Sequence, residues 1–281
     1  MDEFKVESKV YSGTRCIKIN LKRIFLEAME KESIYQTVAL LMVDLKPCVA
    51  LSGAGISAES GIPTFRSKGG LWEKYDPMVY ASIDAFREDP SKYWTIRGEF
   101  IRNYDAYHPN KAHAALAELE KMGIVRHVIT QNIDGLHKKA GSQKVTEIHG
   151  SLRETYCLQC NKEYLAPGVP DGLPPYCECG GVLKPNTVLF GEQLPEGALE
   201  KAYQESASCK LMLVVGTSAV VQPAASLPVL AQQNGAKIVE VNIEPAFPAA
   251  DIVVQEKAGV GLSNILDAVR RIYAESQHRG A

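Results

Sequence analysis

The 281-residue chain has no apolar run that approaches the roughly 20 residues a membrane-spanning helix needs. Its N-terminus, Met1-Asp2-Glu3-Phe4-Lys5, lacks the basic-then-apolar order of a secretion signal, and the acidic start is unlike a mitochondrial transit peptide. Excess charge is missing too. The 31 Lys and Arg face 33 Asp and Glu, a formal net charge of -2, so no basic field is present to hold a nucleic-acid backbone by counterion release. Seven cysteines in a chain of this length do not make a disulfide framework. Four of them fall between Cys157 and Cys179 in paired spacing, which points to a reducing, cytoplasmic location. Internal repeats and low-complexity tracts are absent as well. With 46% hydrophobic and 23% charged residues, the chain is globular in make-up and can bury one large or two modest cores.

Residues 1 to 32 alternate short mixed segments, Arg15 to Leu21 and then a charged, helix-like Lys22 to Lys31, and carry no assignable function. From Ile34 the pattern is α/β. Four runs, Cys48 to Ser52, Ile124 to Thr130, Leu211 to Val215 and Lys237 to Ile243, are almost continuously apolar, as strands covered on both faces are. They predict a Rossmann-like, mainly parallel sheet with helices on both faces. Asn110 can cap a helix with the stripe Ala112, Ala115, Leu116, Leu119 and Met122, closed by Gly123. Leu262, Ile265, Leu266, Val269, Ile272 and Tyr273 predict a final amphipathic helix. Two stretches break the rhythm. Pro63 to His108 shows no strand signal and reads as inserted loops and helices. Ser151 to Pro185, rich in Cys, Pro and Gly, is too irregular for a large core and reads as a small metal-stapled lobe of zinc-ribbon type.

Directly after the first strand comes Gly53-Ala54-Gly55-Ile56-Ser57-Ala58, which fits G-x-G-x-x-G/A at a strand-to-helix junction. Glycine permits a tight turn, and bare N–H groups at a helix start attract a pyrophosphate. By itself the pattern serves a plain turn as readily as a dinucleotide. The acidic ribose partner expected about 20 residues on is missing, because no strand follows there and Asp76 lies in the loop-like Lys74-Tyr75-Asp76-Pro77. Asn242 and Glu244, where the fourth run ends, are the alternative. Gly216-Thr217-Ser218 adds a second small-residue turn at a strand's carboxyl end, where open sheets bind ligands.

Cys157-x-x-Cys160 and Cys177-x-Cys179 supply four thiolates for a tetrahedral Zn²⁺. A redox pair in the first motif is the other reading, and the occurrence of both pairs together favours zinc. Four sulfur ligands leave no open position, so the metal would hold shape and not activate water. Cys16, Cys48 and Cys209 are isolated and read as small buried hydrophobes. Thr130-Gln131-Asn132-Ile133-Asp134-Gly135-Leu136-His137 follows the second strand and emerges at the same sheet edge as the glycine turn. His149, in Ile148-His149-Gly150, stands immediately before the cysteine lobe.

Together these pieces resemble the sirtuins, NAD-dependent protein-lysine deacylases, from about Ile34 to the C-terminal helix. The resemblance is carried by Gly53 to Arg66, Thr130 to Asp134, His149-Gly150, the cysteine set, Phe190-Gly191-Glu192, Gly216-Thr217-Ser218 and Val241-Asn242, all in the family's order. It implies a catalytic domain over 33-281: an NAD-binding part at about 33-62, 109-150 and 186-281, an insert at about 63-108 and a zinc lobe at about 151-185. It puts the NAD phosphates on Ala54 and Gly55, with Gly53 and Ser57 in the same turn and Arg66 as a cationic fork on the diphosphate. Phe65 would shield the reactive ribose carbon from water and departing nicotinamide. Asn132, Ile133 and Asp134 would hold the nicotinamide end, Asp134 by accepting from the carboxamide N–H₂, and Gln131 would reach the nicotinamide ribose. Gly216, Thr217 and Ser218 join the NAD contacts, Asn242 and Glu244 take the adenosine ribose, and Ala258 approaches the adenine.

The resemblance also implies the chemistry. The substrate's amide oxygen attacks the ribose carbon as nicotinamide leaves. His149 is then the general base for a ribose hydroxyl that attacks the resulting O-alkylamidate, giving free lysine and O-acyl-ADP-ribose. NAD is a co-substrate, the zinc is structural, and the partner is an acyl-lysine protein or peptide. That peptide would lie as an added strand between Val188, Phe190, Gly191 and Glu192 on one side and Val221 on the other.

Thr64 stands where many members carry Asp, a mark of a branch typical of bacterial and archaeal members. That branch often carries Tyr and Arg that bind acidic acyl groups. The corresponding positions here are Arg97 and Phe100, and since Phe100 cannot pair with a carboxylate, acetyl is expected over succinyl or malonyl. The rival activities for the same pocket are protein ADP-ribosyl transfer and NAD glycohydrolysis; a zinc-ribbon module that binds without turnover has no use for His149.

Overall fold

The computed structural model describes residues 21–65, 70–166 and 168–279. Helix α1 (Leu21–Asp44) leads into strand β1 (Cys48–Ser52), and the turn after β1 opens a 3-10 helix, Ala54–Ser60. Four helices follow with no strand between them: α2 (Leu71–Lys74), α3 (Pro77–Tyr80), α4 (Ile83–Glu88) and α5 (Pro90–Arg102). Next come α6 (Lys111–Lys121), β2 (Val125–Thr130), α7 (Leu136–Lys139), β3 (Val145–Glu147), β4 (Gly150–Cys157), β5 (Glu163–Leu165) and β6 (Leu183–Thr187). The chain ends with α8 (Glu196–Ser208), β7 (Leu211–Val215), α9 (Leu227–Gln233), β8 (Lys237–Asn242), β9 (Ile252–Gln255) and α10 (Ala258–Arg279).

The four apolar runs all form strands of one sheet, in the order β3-β2-β1-β7-β8-β9, paired in parallel throughout. Every residue of β1 and of β7 is buried, which is why these runs do not alternate. Alternate side chains divide between two cores. Cys48 and Ala50 point into a layer shared with Val38 of α1, Leu116 of α6 and Leu262 and Val269 of α10. Val49 and Leu51 point the other way, against Ala202 of α8 and Leu227 and Ala231 of α9. The result is the expected Rossmann-like sheet with helices on both faces.

Several boundaries differ from the sequence reading. The second run becomes a strand at Val125 and not Ile124, and the fourth stops at Asn242 and not Ile243. Strands β3 and β9, of 3 and 4 residues, are too short to show a pattern of their own. Helix α1 runs unbroken through residues 32 and 33, where the composition changes, and lies along α10. Tyr35 there donates to Glu256 at 2.6 Å. Residues 1–20, with Cys16 and most of the mixed Arg15 to Leu21 segment, fall outside the described residues. Asn110 caps α6 as expected, its side chain accepting from the Ala112 N–H at 2.8 Å, and Gly123 follows in the left-handed region.

The two irregular stretches turn out to be one body. β5, β4 and β6 form an antiparallel sheet, and its apolar face packs on α4 and α5 through Phe86, Trp94, Ile101, Leu152, Leu183 and Leu189. Trp94 is fully buried and its indole N–H donates to the Leu183 carbonyl at 2.9 Å. Neither segment could cover its own apolar residues, so each completes the core of the other. No helix among the described residues is long and apolar enough to cross a membrane.

Candidate active site

The carboxyl ends of β1, β2, β7 and β8 open into a cleft of 1560 Å³ whose other wall comes from the small lobe. Its floor is the meeting of two turns. Gly55 N–H donates to the Gly216 carbonyl at 2.7 Å, and Gly53 N–H to Val215 at 3.1 Å. A Cβ on Gly55 would meet the Gly216 Cα at 2.8 Å, and one on Gly53 would meet the Thr217 Cβ at 2.8 Å. These glycines are therefore required by the contact of two backbones, a reason additional to any ligand. The turn leads into a 3-10 helix of 7 residues in place of a regular α-helix. Glu59, near its end, accepts from the Gly259 N–H at the start of α10, at 2.7 Å.

Behind this floor lies a hydrogen-bonded chain that can be assigned proton by proton. Asn110 N–H faces His113 Nδ1 at 3.3 Å, so Nδ1 accepts and the ring proton sits on Nε2. Nε2 lies 3.4 Å from Ser57 Oγ, which also receives a bond from the Asn132 amide at 3.0 Å. Ser57 in turn donates to Asp134 at 2.7 Å. Asp134 takes a further bond from the Leu136 N–H at 2.9 Å. Burial raises the Asp134 pKa, with these donors opposing the rise. Burial lowers His113 to about 4 and puts His137, whose ring is 4.9 Å away, well below the ordinary value. Asn132 thus reaches the cleft from a hydrogen-bonded support.

His149 lines the same cleft, half-buried. Its Nδ1 is 3.0 Å from the Gln131 carbonyl, a group that can only accept, so Nδ1 carries the proton and Nε2 keeps its lone pair. Burial lowers its pKa, and the bond to Gln131 opposes this. The result is a neutral imidazole suited to take a proton near neutral pH.

The opposite wall is braced by a buried lysine that sequence reasoning missed. Lys184 lies 3.1 Å from Glu192, whose carboxylate also accepts from the Leu189 N–H at 2.8 Å. The Phe190 N–H and carbonyl are both spent on Ala81 and Ile83, each at 2.9 Å. Among the described residues neither main-chain group of Gly191 is bonded. At the far end, Glu240 is fully buried in β8 and accepts from the Asn242 amide, Ala246 N–H at 2.7 Å and Phe247 N–H at 3.1 Å. Those bonds shape the loop on which Asn242 and Glu244 meet the cleft. A carboxylate inside an otherwise apolar run was the signal for it.

Most of the expected contacts come together in this cleft: Gly53, Ala54, Gly55, Phe65, Gln131, Asn132, Ile133, His149, Val188, Phe190, Gly191, Glu192, Gly216, Thr217, Ser218, Val221, Asn242 and Glu244 all line it. Ser57 and Asp134 are buried behind it, and Ala258 is buried at the start of α10. Arg66 lies outside the described residues. Asp76 is a helix cap, accepting from Met78 N–H at 2.8 Å. Arg97 lines the cleft, whereas Phe100 stacks on Tyr107 outside it, with centroids 4.5 Å apart. Trp72 and Tyr93 also line it, unforeseen because their helices carried no motif.

In the small lobe the sulfurs of Cys157, Cys160, Cys177 and Cys179 lie within 4.8 Å of one another, with Cys157 and Cys179 at 3.5 Å and Cys160 and Cys177 at 3.6 Å. A tetrahedron with Zn–S of about 2.3 Å has sulfur–sulfur edges of about 3.8 Å, so the set fits a zinc ion with no fifth donor needed. Tyr164 donates to Cys177 at 3.2 Å. Cys48 and Cys209 are buried free thiols, as read from their isolation.

The model of the Sir2 family matches residues 53–223. An NAD-dependent protein deacylase 2 of Pyrobaculum aerophilum is 46% identical over 240 residues, spanning 83% of this chain and 95% of that protein. An NAD-dependent protein deacylase 1 of Archaeoglobus fulgidus is 44% identical over 245 residues, 85% of this chain and 98% of that one. A solved structure of a mutant Sir2 homologue with ADP-ribose superposes with a TM-score of 0.80 at 43% identity, covering 85% of this chain and 97% of that one.

Proposed function

Since the chain belongs to the Sir2 family, we propose that it is an NAD-dependent protein-lysine deacylase, chiefly a deacetylase, which passes the acyl group to ADP-ribose and releases nicotinamide. The observation that carries this reading is the His149 imidazole, held by the Gln131 carbonyl with Nε2 unprotonated, in the lining of a 1560 Å³ cleft, ample in volume for a dinucleotide. A site that only binds has no need of such a base.

The roles proposed join the family resemblance to the place of each residue in the cleft. Gly53, Ala54 and Gly55 hold the NAD phosphates, Gln131 the nicotinamide ribose, and Gly216, Thr217 and Ser218 the backbone side of the cleft. Asn132 and Ile133 meet the nicotinamide end. Ser57 and Asp134 act from beneath, through the bonds that orient Asn132, and Phe65 covers the reacting carbon. Asn242 and Glu244 take the adenosine ribose, with Ala258 near the adenine and Arg66 on the diphosphate. His149 is the general base for the ribose hydroxyl.

An acyl-lysine peptide enters between Val188, Phe190, Gly191 and Glu192 and Val221, and Gly191 offers the unpaired main chain for it. Cys157, Cys160, Cys177 and Cys179 hold one structural Zn²⁺, which fixes the lobe against which that peptide lies. The catalytic domain is 33-281, with 1-32 outside it. The protein works in the cytoplasm, on acetyl groups before succinyl or malonyl, with no intrinsic nucleic-acid or membrane binding.

The test is mass spectrometry of the purified chain with acetyl-lysine and succinyl-lysine peptides, with and without NAD, beside His149→Ala. Deacetylation that requires NAD, yields O-acetyl-ADP-ribose and collapses in the variant is expected. NAD loss with the peptide unchanged, or a peptide heavier by one ADP-ribose, would replace the reading with glycohydrolysis or ADP-ribosyl transfer. A succinyl peptide processed faster would overturn the acyl preference.

A further inference from the structure

Phe65 sits in an irregular loop beyond the 3-10 helix, yet a ring that must cover reacting atoms needs support from rigid elements. Part of that support is backbone. Leu71 N–H donates to the Thr64 carbonyl at 3.0 Å and Trp72 N–H to the Phe65 carbonyl at 2.9 Å. The Trp72 ring stacks on Phe65 with centroids 5.3 Å apart and planes at 29°, and meets Phe190 edge-on at 6.3 Å.

The remaining support is a cation. The Arg97 guanidinium carbon lies 5.1 Å from the Phe65 ring centre. Arg97 projects from α5, whose neighbouring Tyr93 and Trp94 are locked in the small lobe's core. Among the described residues the guanidinium has no carboxylate partner; burial lowers its pKa and the Tyr93 phenol opposes this. A partly desolvated guanidinium gains most from a flat π face, which the Phe65 ring offers.

We propose that Arg97 is a positioning residue that holds the Phe65 ring over the reacting end of NAD and so keeps NAD cleavage coupled to deacylation. This rests on the shielding role given to Phe65 above. When the bond from ribose carbon to nicotinamide nitrogen breaks, the carbon is captured in one of three ways. The acyl oxygen forms the productive C–O bond, nicotinamide returns to re-form NAD, or water adds and loses a proton to give ADP-ribose. A loosely held ring admits the water.

The experiment measures nicotinamide released per lysine deacylated in the full chain, with acetyl-lysine peptide, for wild type, Arg97→Met, Arg97→Lys and Phe65→Ala. Arg97→Met keeps a long apolar stem and loses the charge, and should raise the excess of that ratio over one, which is the share lost to water, by about 2- to 30-fold, the span that a cation–π contact confers. Arg97→Lys keeps a cation over the ring and should return most of the way to wild type, which a merely structural role would not predict. If Phe65→Ala raises the ratio and Arg97→Met does not, the proposal fails while the role of Phe65 stands. If Phe65→Ala leaves the ratio unchanged, the role of Phe65 falls and the proposal with it. A selective loss of turnover on a succinyl peptide in Arg97→Met, with the acetyl ratio unmoved, would assign the guanidinium to the acyl group and overturn the brace. Should Arg97→Met melt below the assay temperature, Arg97→Gln is read by the same criteria.

Discussion

Lowering the pH should unfold this protein partly through a single imidazole. His113 is fully buried, and burial takes its pKa from 6.5 to about 4. Above pH 6.5 it is neutral in the folded and the unfolded chain and contributes no pH dependence. As pH falls below 6.5 the unfolded chain takes up a proton that the folded chain refuses, and stability declines until the pH passes the folded value. The gap of about 2.5 units corresponds to a loss of about 3 kcal/mol at about 1.4 kcal/mol per unit. The structure supplies the cause, because protonation would turn Nδ1 from acceptor to donor against the Asn110 N–H. The assay is urea unfolding from pH 7 to pH 4 for wild type and His113→Gln. Carboxylates titrate in both proteins and cancel in the difference, which then reports His113 together with the lowering it imposes on the neighbouring His137. The variant should be less stable at neutral pH and should gain on wild type by about 3 kcal/mol toward pH 4. A difference that stays constant across that range would refute the assignment of His113 as a buried neutral ring.

Three further outcomes are expected. Because burial lowers the His149 pKa, the acid limb of kcat/KM should lie below pH 6.5, with His149→Ala reducing deacylation by about 10²- to 10⁴-fold; a limb above pH 6.5 would contradict the site geometry. Elemental analysis should find one zinc per chain, and stripping it with a chelator or substituting Cys160→Ser should change Trp94 fluorescence, since Trp94 bonds to Leu183 in the same lobe. An unchanged Trp94 signal in metal-free protein would show that the lobe does not depend on the ion. Lys184→Met should cost roughly 3 kcal/mol in denaturant unfolding, the low end for a buried pair because Glu192 is 23% exposed. It should also raise KM for peptide more than KM for NAD, and equal rises would argue against a role in the peptide wall.

What the sequence disclosed and what it hid divide along physical lines. Val49 and Leu51, or Met212 and Val214, lie in runs so apolar that both faces must be covered, and the sheet follows from them. The cysteine pairs were legible as a set that could hold a metal because spacing and thiol chemistry act locally. Strands β3 and β9 were hidden because 3 or 4 residues carry no period, and their place is set by the neighbours they pair with. The union of α4 and α5 with the cysteine lobe was hidden because Trp94 and Leu183 meet across 89 positions. In the site, the motifs identified side chains but not the direction each one faces. Ser57 and Asp134 belong to the matched motifs, yet both point inward and act on Asn132. Glu240 was visible as one charge in an apolar run, but two of its N–H donors, those of Ala246 and Phe247, lie in a loop that only folding brings to it.

The bond from Glu59 to the first turn of α10 spans 200 positions and ties the glycine turn to the last helix of the chain. A protein made from its N-terminus emerges with β1 and its turn long before α10 exists. While it is still on the ribosome, the dinucleotide floor therefore lacks one of its supports, and α1 and α6 lack the helix they pack against. The glycine turn should therefore reach its final shape only once α10 has docked.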